Sequence, residues 1–259
     1  MGAGSGAALD GDGLLVHPLL AVPPRLALWR APTDNDRFGG MAARWHEQGL
    51  AAPERRLLGV ERDGERVVIS AEYLTGAGVV GHEQVLTSMD TPEGAVLLIE
   101  ETAVVPDALV DLPRVGTVFE TVAGFDGLEW FGRGPYETYP DRCTAGWVGE
   151  FAMGVSEAFT PYIRPQESSG RHGVRRFALS GPGVTLGVQL DAPRQVSVTR
   201  YRAEDLDAAA HHGELVPRPG VVVHLDAAHR GLGTASCGPD TLPPYLVGPG
   251  TYRWAWSLR

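Results

Sequence analysis

The chain has 259 residues, of which 43% are hydrophobic, 34 are Gly and 20 are Pro. Its net charge of −10 argues against binding to nucleic acid or to an anionic membrane surface, because both require clustered basic residues. The two cysteines form no disulfide framework, and neither a membrane span nor a signal peptide is recognisable, so we expect a cytoplasmic protein.

Residues 1–13 are mostly small and are predicted to be flexible, whereas 14–259 are predicted to form one domain. Helices are predicted over 41–51 and over 203–215, where acidic residues occupy the first turn. Alternating apolar residues bounded by turn signals predict strands over 66–73, 83–89, 95–105, 114–122, 183–190, 195–201, 220–226 and 251–258. Because no βαβ alternation occurs, the predicted fold class is all-β, a large antiparallel β-sandwich with both inner faces buried.

One segment, WFGRGPYETYPDR at 130–142, combines four aromatic rings with two Gly, two Pro and four charges. Gly and Pro at this density forbid a helix and are expected to break a strand. Rings beside Arg and carboxylates suit a sugar, and they equally suit a protein interface. The residues alone leave both possibilities open.

Five carboxylates lie in aromatic or Gly/Pro-rich loops, namely Asp34, Asp36, Glu137, Asp141 and Glu167. Two of them could form a glycosidase acid/base pair, which for a retaining enzyme requires a separation of about 5 Å. The alternative, that they bind backbone amides and Arg within rigid loops, is favoured because turn carboxylates usually serve the backbone. No nucleophile motif is recognisable. No transition-metal spacing is recognisable either, so no metal site is predicted in this chain, and a carboxylate site for a hard cation is open but has no support from the sequence.

Three stretches occur in the order and at the distances found in one known family: RAPTDNDRFGG (30–40), WFGRGPYETYPDR (130–142) and TPYIRPQESSGRHGVR (160–175). They resemble the C-terminal, or small-chain, domain of the family 2 glycoside hydrolase β-galactosidases. The stretch GLGTASCGPDTLPPY (231–245) and the closing YRWAWSL extend the resemblance over nearly the whole chain. The resemblance implies a supersandwich similar to the galactose mutarotase fold, in agreement with the all-β prediction.

In the resembled family, the catalytic glutamates and the main metal ligands lie on a separate TIM-barrel domain. The resemblance therefore implies that this chain supplies no catalytic residue, and that Mg²⁺ and Na⁺ belong to a partner catalytic chain. It also implies that the loop Arg37–Ala42, with Phe38 and Gly39, reaches the galactoside substrate.

In the resembled domain, the Trp of a Gly-Asp-Asp-Ser-Trp stretch forms an aromatic platform for the sugar. Here Cys237, which follows Ser236, occupies the position of that Trp. A thiol offers no π face for stacking. Either a neighbouring ring such as Tyr245 substitutes, or Cys237 and the loop backbone make a narrower contact.

We expect the 130–142 segment to brace the domain more than it binds sugar. In this hypothesis Trp130 and Phe131 cap the sandwich, and bidentate pairs fix the loop through Arg133, Glu137, Asp141 and Arg142.

The resemblance predicts the small subunit, or a C-terminal part, of a β-galactosidase that hydrolyses terminal β-D-galactosides such as lactose. The TIM-barrel chain would carry the catalytic residues, and this chain alone would be inactive. One alternative is a stand-alone carbohydrate-binding protein. Another is an aldose 1-epimerase-like enzyme, whose acid/base pair could use His82, His172 or His224.

Overall fold

The computed structural model describes residues 7–92, 94–233 and 238–259. This part of the chain forms twelve strands: β1 (Leu20–Ala27), β2 (Glu54–Asp63), β3 (Arg66–Thr75), β4 (Gly78–Thr91), β5 (Gly94–Val105), β6 (Arg114–Thr121), β7 (Gly127–Gly134), β8 (Trp147–Gly154), β9 (Gly170–Gly181), β10 (Val184–Thr199), β11 (Val222–His229) and β12 (Gly250–Leu258). Its α-helices are α1 (Asp34–Phe38), α2 (Met41–Glu47), α3 (Val155–Ala158) and α4 (Ala203–Ala208). Within the same ranges, no helix is long and apolar enough to cross a bilayer.

All strand pairs are antiparallel, in the hydrogen-bonded order β1-β6-β11-β10-β12-β5-β4-β3-β2, and β9, β7 and β8 extend from β10. The long strand β10 pairs with β12 through residues 188–190 and with β11 through residues 195–199, and its register shifts in between. Strand β12 lies between β10 and β5 and so joins the two parts of this order. The predicted all-β antiparallel fold is confirmed.

The sheet curls until distant strands meet across the core. The ring of Phe119 in β6 stacks on Trp256 in β12, with centroids 5.4 Å apart, although β11 and β10 separate these strands in the sheet. Likewise the amide of Leu26 in β1 donates to the hydroxyl of Tyr73 in β3 at 3.1 Å, across opposite parts of the strand order. The two layers of the sandwich therefore belong to one hydrogen-bonded sheet.

A buried carboxylate ties the core together. Both oxygens of Glu101 are engaged by surrounding side chains, with donors from Trp254, Trp256, Gln84 and Thr117 and a contact of 3.0 Å to the His82 ring. Burial acts to raise the pKa of Glu101, and the hydrogen bonds from His82 and Thr117 outweigh it and hold this pKa below its usual value. The carboxylate is thus kept ionised inside the sandwich.

Both predicted helices are shorter than expected. Helix α2 ends at Glu47 because Gly49 takes a left-handed conformation with φ +68°, which stops the helix. Helix α4 ends at Ala208, since Ala209 is extended, and a separate 3₁₀ turn follows at His212–Glu214.

The expectation that Gly and Pro break a strand within 130–142 was wrong for its first residues, because β7 runs through to Gly134. The glycines are needed there by close packing. A Cβ at Gly132 would lie 2.7 Å from the backbone of Val174, and one at Gly134 would lie 2.8 Å from the Phe151 ring.

The described part of the predicted flexible segment, residues 7–13, has a defined conformation. Leu9 forms a β-bridge with Leu15, and Ala7 is buried. A side-chain oxygen of Asp10 accepts from the amides of Asp12 and Leu14 at 2.9 Å each, so an Asp-centred turn orders the segment.

Candidate functional site

Four segments from distant parts of the sequence meet around a small cleft. They are residues 30–40, 137–142, 160–169 and 230–233, and together we call them the loop cluster. The cleft has a volume of about 190 Å³, and its lining includes Asp34, Asn35, Arg142, Tyr162, Gln166 and Leu232. All three motifs that carry the family resemblance thus contribute to one place in the fold.

A buried ion pair anchors the first segment. Arg30 donates to Asp36 through Nε at 3.1 Å and Nη2 at 2.7 Å, and both side chains are at most 1% exposed. Asp36 also accepts from the amide of Thr33 at 2.8 Å, completing a capping box that starts α1. Through Nη1, Arg30 donates to the carbonyl of Arg230 at 2.6 Å, which ties the first segment to the fourth.

Beneath the cleft, one guanidinium holds two buried carboxylates. Arg114 Nη2 donates to Glu167 Oε1 at 3.0 Å, and its Nε lies 3.3 Å from Asp226 Oδ1 without hydrogen-bond geometry. Burial raises the pKa of Glu167 although Arg114 opposes it, and burial raises the pKa of Asp226 to about 7. The amide of Glu167 donates to Ala31, so this pair also supports the first segment.

Glu137 is the centre of the second and third segments. Its Oε1 accepts from Arg142 Nη2 and from the Tyr162 hydroxyl at 2.5 Å each, and its Oε2 accepts from the amide of Ser169 at 3.2 Å. The Arg142 guanidinium also lies 5.3 Å from the centre of the Tyr139 ring. The carboxylate therefore links two motif loops.

Asp141 joins the second segment to the fourth. Its carboxylate oxygens accept from the amides of Leu232 at 3.0 Å and Gly233 at 2.7 Å, and Asn35 Nδ2 donates to the Leu232 carbonyl at 2.8 Å. We call this arrangement the Asp141 clasp. It holds the backbone that precedes Ser236 and Cys237, the two predicted substrate contacts, which lie outside the described residues.

The hypothesis of bidentate side-chain pairs within 130–142 needs correction. Arg133 donates to the carbonyls of Cys143 and Gly146, at 3.3 and 2.8 Å, and to no carboxylate in the described part of the chain. Asp141 binds amides, as described above, so Arg142–Glu137 is the one ion pair among the four predicted residues. The physical reason is that β7 directs Arg133 toward the turn at 143–146.

The predicted substrate loop lies at the surface. Phe38 ends α1 and is 78% exposed, and the amide of Gly39 caps the helix by donating to Asn35 at 2.9 Å. Next to it, Arg37 pairs with Asp207 at 2.9 Å, and Ile163 of the third segment is 77% exposed. The structure thus leaves a large ring free at the loop that the resemblance assigns to substrate.

Four of the five candidate carboxylates already serve the loops, as the favoured interpretation expects: Asp36, Glu137, Asp141 and Glu167. None of these four is left as a free acid or base. Among the described residues, no three side chains of His, Cys, Asp or Glu are placed to hold a metal ion. The arrangement can therefore present loops rigidly, but it shows no carboxylate pair poised for hydrolysis.

The histidines considered for an epimerase are engaged or enclosed. His82 contacts Glu101 inside the sandwich, and His172 contacts the side chain of Gln195 at 3.2 Å rather than Ser168 or Ser169. Burial and the nearby Arg114 hold the pKa of His224 well below its usual value. The His–Glu pair among these positions, His82–Glu101, is sealed inside the sandwich, and His224 forms no ion pair with a carboxylate among the described residues.

Sequence reasoning missed three residues at the loop cluster: Arg114 and Arg230, which hold it together, and Asp226, which is buried beside Arg114. Arg230 donates to Asp111, Asp240 and Thr241 at 2.7 to 2.9 Å. Their sequence neighbourhoods carry no signal, because each partner is distant along the chain or lies across a turn.

A family model described as Beta galactosidase small chain matches residues 7–258. The β-galactosidase of Arthrobacter sp. (strain B7) is 32% identical over 252 residues, which cover 87% of this chain and 25% of that protein. The β-galactosidase of Vibrio cholerae serotype O1 is 32% identical over 261 residues, covering 94% of this chain and 24% of that protein. A solved galactose mutarotase-like protein from Lactobacillus casei covers 78% of this chain and 72% of its own, at 10% identity and a TM-score of 0.38.

The chain spans about a quarter of the length of the β-galactosidases that it matches. The match to the family model extends over all twelve strands and the four segments of the loop cluster. The chain therefore belongs to the β-galactosidase small-chain family.

Proposed function

We propose that this chain is the small subunit, or a C-terminal part, of a β-galactosidase and that it completes the galactoside site of a TIM-barrel catalytic chain. One observation carries the proposal: ion pairs and hydrogen bonds to backbone amides fix all three motif loops around one cleft, and they engage Asp36, Glu137, Asp141 and Glu167, which could otherwise act in catalysis. Such a site positions a substrate without hydrolysing it. The relatives named β-galactosidase support the substrate class, a terminal β-D-galactoside such as lactose.

In this proposal the loop at Phe38 and Gly39 contacts the substrate, since the Phe38 ring is exposed on a helix end that buried pairs hold in place. The Asp141 clasp orients the backbone toward Ser236 and Cys237, which would complete the sugar contact.

The proposal assigns Mg²⁺ and Na⁺ to the catalytic partner, as the resemblance to the β-galactosidases implies. It places the complex in the cytoplasm, which a chain with two cysteines and a net charge of −10 would suit.

The test is hydrolysis of o-nitrophenyl β-D-galactoside by the purified chain, first alone and then mixed with a TIM-barrel β-galactosidase chain that lacks this domain. Activity only in the mixture is expected. Activity of this chain alone would contradict the proposal. No activity in either arm, together with direct binding of galactose, would favour a stand-alone carbohydrate-binding protein instead.

Paired variants then test the substrate loop. Phe38→Ala should raise the KM of the mixture about tenfold, the loss of ~1.4 kcal/mol of contact, with an unchanged unfolding midpoint. Leu58→Ala is the control, because Leu58 is also exposed, at 55%, and lies on β2 outside the loop cluster. Equal KM values for the two variants would show that Phe38 does not contact the substrate.

A further inference from the structure

A second cavity, separate from the loop cluster, opens beside strand β1. Its volume is about 360 Å³, which lies within the range of roughly 300–1,000 Å³ of small-molecule sites. Its walls are largely apolar and include Leu26, Leu28, Leu50, Phe119 and Val222. We call it the β1 cavity. None of its lining residues belongs to the three motifs or to the loop cluster, so the proposed β-galactosidase function does not account for it.

Two buried groups at the β1 cavity are donors without an acceptor. Trp29 lines the cavity, is 5% exposed, and its Nε1 has no hydrogen-bond partner in the described part of the chain. The Tyr73 hydroxyl accepts from the amide of Leu26, and among the described residues nothing accepts its own proton. Burial raises the pKa of Tyr73, so the hydroxyl keeps that proton. An indole N–H can only donate, and buried donors are normally satisfied.

The rim of the cavity carries a surplus of positive charge. Three arginines line it, together with two glutamates. Arg202 is neutralised by Glu120, which it contacts through Nε at 3.0 Å and Nη2 at 2.6 Å. Arg25 is exposed and forms no ion pair within the described ranges, and Arg55 uses one nitrogen for the carbonyl of Asp12. His224 also lines the cavity and is uncharged at neutral pH, because burial lowers its pKa.

The available polar groups are mostly donors and cations, since Trp29 Nε1, the Tyr73 hydroxyl, Arg25 and Arg55 stand against the Glu204 carboxylate and the neutral His224 ring, whereas the walls are apolar. A neutral polyol would bring as many donors as acceptors and would leave the apolar walls poorly covered. A molecule with an apolar body and an anionic head group satisfies both features, because the body covers the walls and the head accepts from the donors and faces the arginines.

We propose that the β1 cavity binds a small amphipathic anion, with its apolar body between the strands and its acidic head group at Arg25. The site is independent of the loop cluster, so its occupation does not require the catalytic partner. The ligand belongs to the class of carboxylates or sulfonates that carry a ring or a short hydrocarbon body.

The probe is 8-anilino-1-naphthalenesulfonate, whose fluorescence rises when it enters an apolar site. Its matched control is N-phenyl-1-naphthylamine, which has the same rings and no charge. Titration of the purified chain at low ionic strength should give one sulfonate site per chain. Ala52→Trp at the exposed lining residue Ala52 should remove binding of both probes, because the indole fills the entrance.

The head-group contact is tested by Arg25→Gln against Arg175→Gln, which removes the same charge from an exposed position on β9. Arg25→Gln should lower the affinity for the sulfonate probe about three- to fivefold, which is the effect of losing a partly screened ion pair. The affinity for the neutral probe should not change. Arg175→Gln should change neither. Unfolding midpoints in urea establish that each variant is folded. Unchanged binding of both probes by Ala52→Trp, or equal losses in the two arginine variants, would overturn the proposal.

Discussion

Replacement of Asp36 by Ala should destabilise the fold strongly, because it leaves the Arg30 guanidinium buried without its carboxylate. The Asp36 side chain makes two hydrogen bonds to Arg30 and one to the amide of Thr33, and Arg30 is fully buried. Removing one partner of a buried pair costs about 3–5 kcal/mol. For a chain of this size, that loss corresponds to a fall in Tm of about 10 °C.

The assay is equilibrium unfolding in urea at pH 7, with the slope of the transition compared between variants. The matched control is Glu150→Ala, which breaks the Arg176–Glu150 pair, whose side chains are 53% and 73% exposed. That variant should lose less than about 1 kcal/mol, because solvent screens an exposed pair.

A double variant, Arg30→Met with Asp36→Leu, distinguishes the cost of an unpaired buried charge from the cost of lost side-chain packing. It should be more stable than Asp36→Ala, because no unpaired charge remains in the interior. The reasoning would be refuted if Asp36→Ala unfolded within 1 kcal/mol of the parent chain, or no earlier than Glu150→Ala.

Three further results are expected. Burial raises the pKa of Asp226 in the folded state to about 7. Between about pH 4 and 7 the folded state therefore binds more protons than the unfolded state. The stability that the protonated carboxyl contributes is lost as the pH rises through 7. Asp226→Asn removes this titrating group, so the unfolding free energy of the variant, measured in urea, should gain about 2 kcal/mol relative to that of the parent chain from pH 5 to pH 8. An equal pH dependence of the two proteins would contradict this. Gly231→Ala should displace the Asp141 clasp, because its Cβ would lie 2.6 Å from that carboxylate, and should lower the activity of the mixed chains, whereas Gly238→Ala meets nothing within 4 Å and should not. Gly132→Ala should destabilise the chain by about 1–3 kcal/mol, because the added Cβ overpacks against β9, and the urea unfolding midpoint measures this loss. An unchanged midpoint would show that β9 shifts to accommodate the Cβ.

The regular alternation of apolar residues was sufficient to predict the sandwich, but it did not reveal every strand. Strand β8 was missed because it lies at an edge and is partly exposed along its whole length, so it lacks a clear apolar face. Strand β7 was missed because Gly132 and Gly134, which usually interrupt strands, are required there by close contacts. The local sequence pattern does not predict a strand where contacts with neighbouring strands determine which residue types are used.

The loop cluster was predictable only through its motifs. Its strongest contacts join residues that are far apart in sequence, such as Arg30 with the carbonyl of Arg230, 200 positions away, and Arg114 with Glu167, 53 positions away. No local rule pairs such residues, since the pairing depends on how the whole sheet curls. For the same reason, Asp141 was predicted to meet an arginine, and it meets the amides of the fourth segment instead.

The position of β12 has a consequence for synthesis of the protein. The ribosome makes this strand after the other eleven, yet the strand joins β10 to β5 within the sheet. Until β12 emerges, a nascent chain holds two partial sheets with unpaired edges at β10 and β5, which are surfaces prone to association with other chains. Completion of the sheet therefore waits for β12, and a chain in which this strand has not yet paired exposes the edges of β10 and β5.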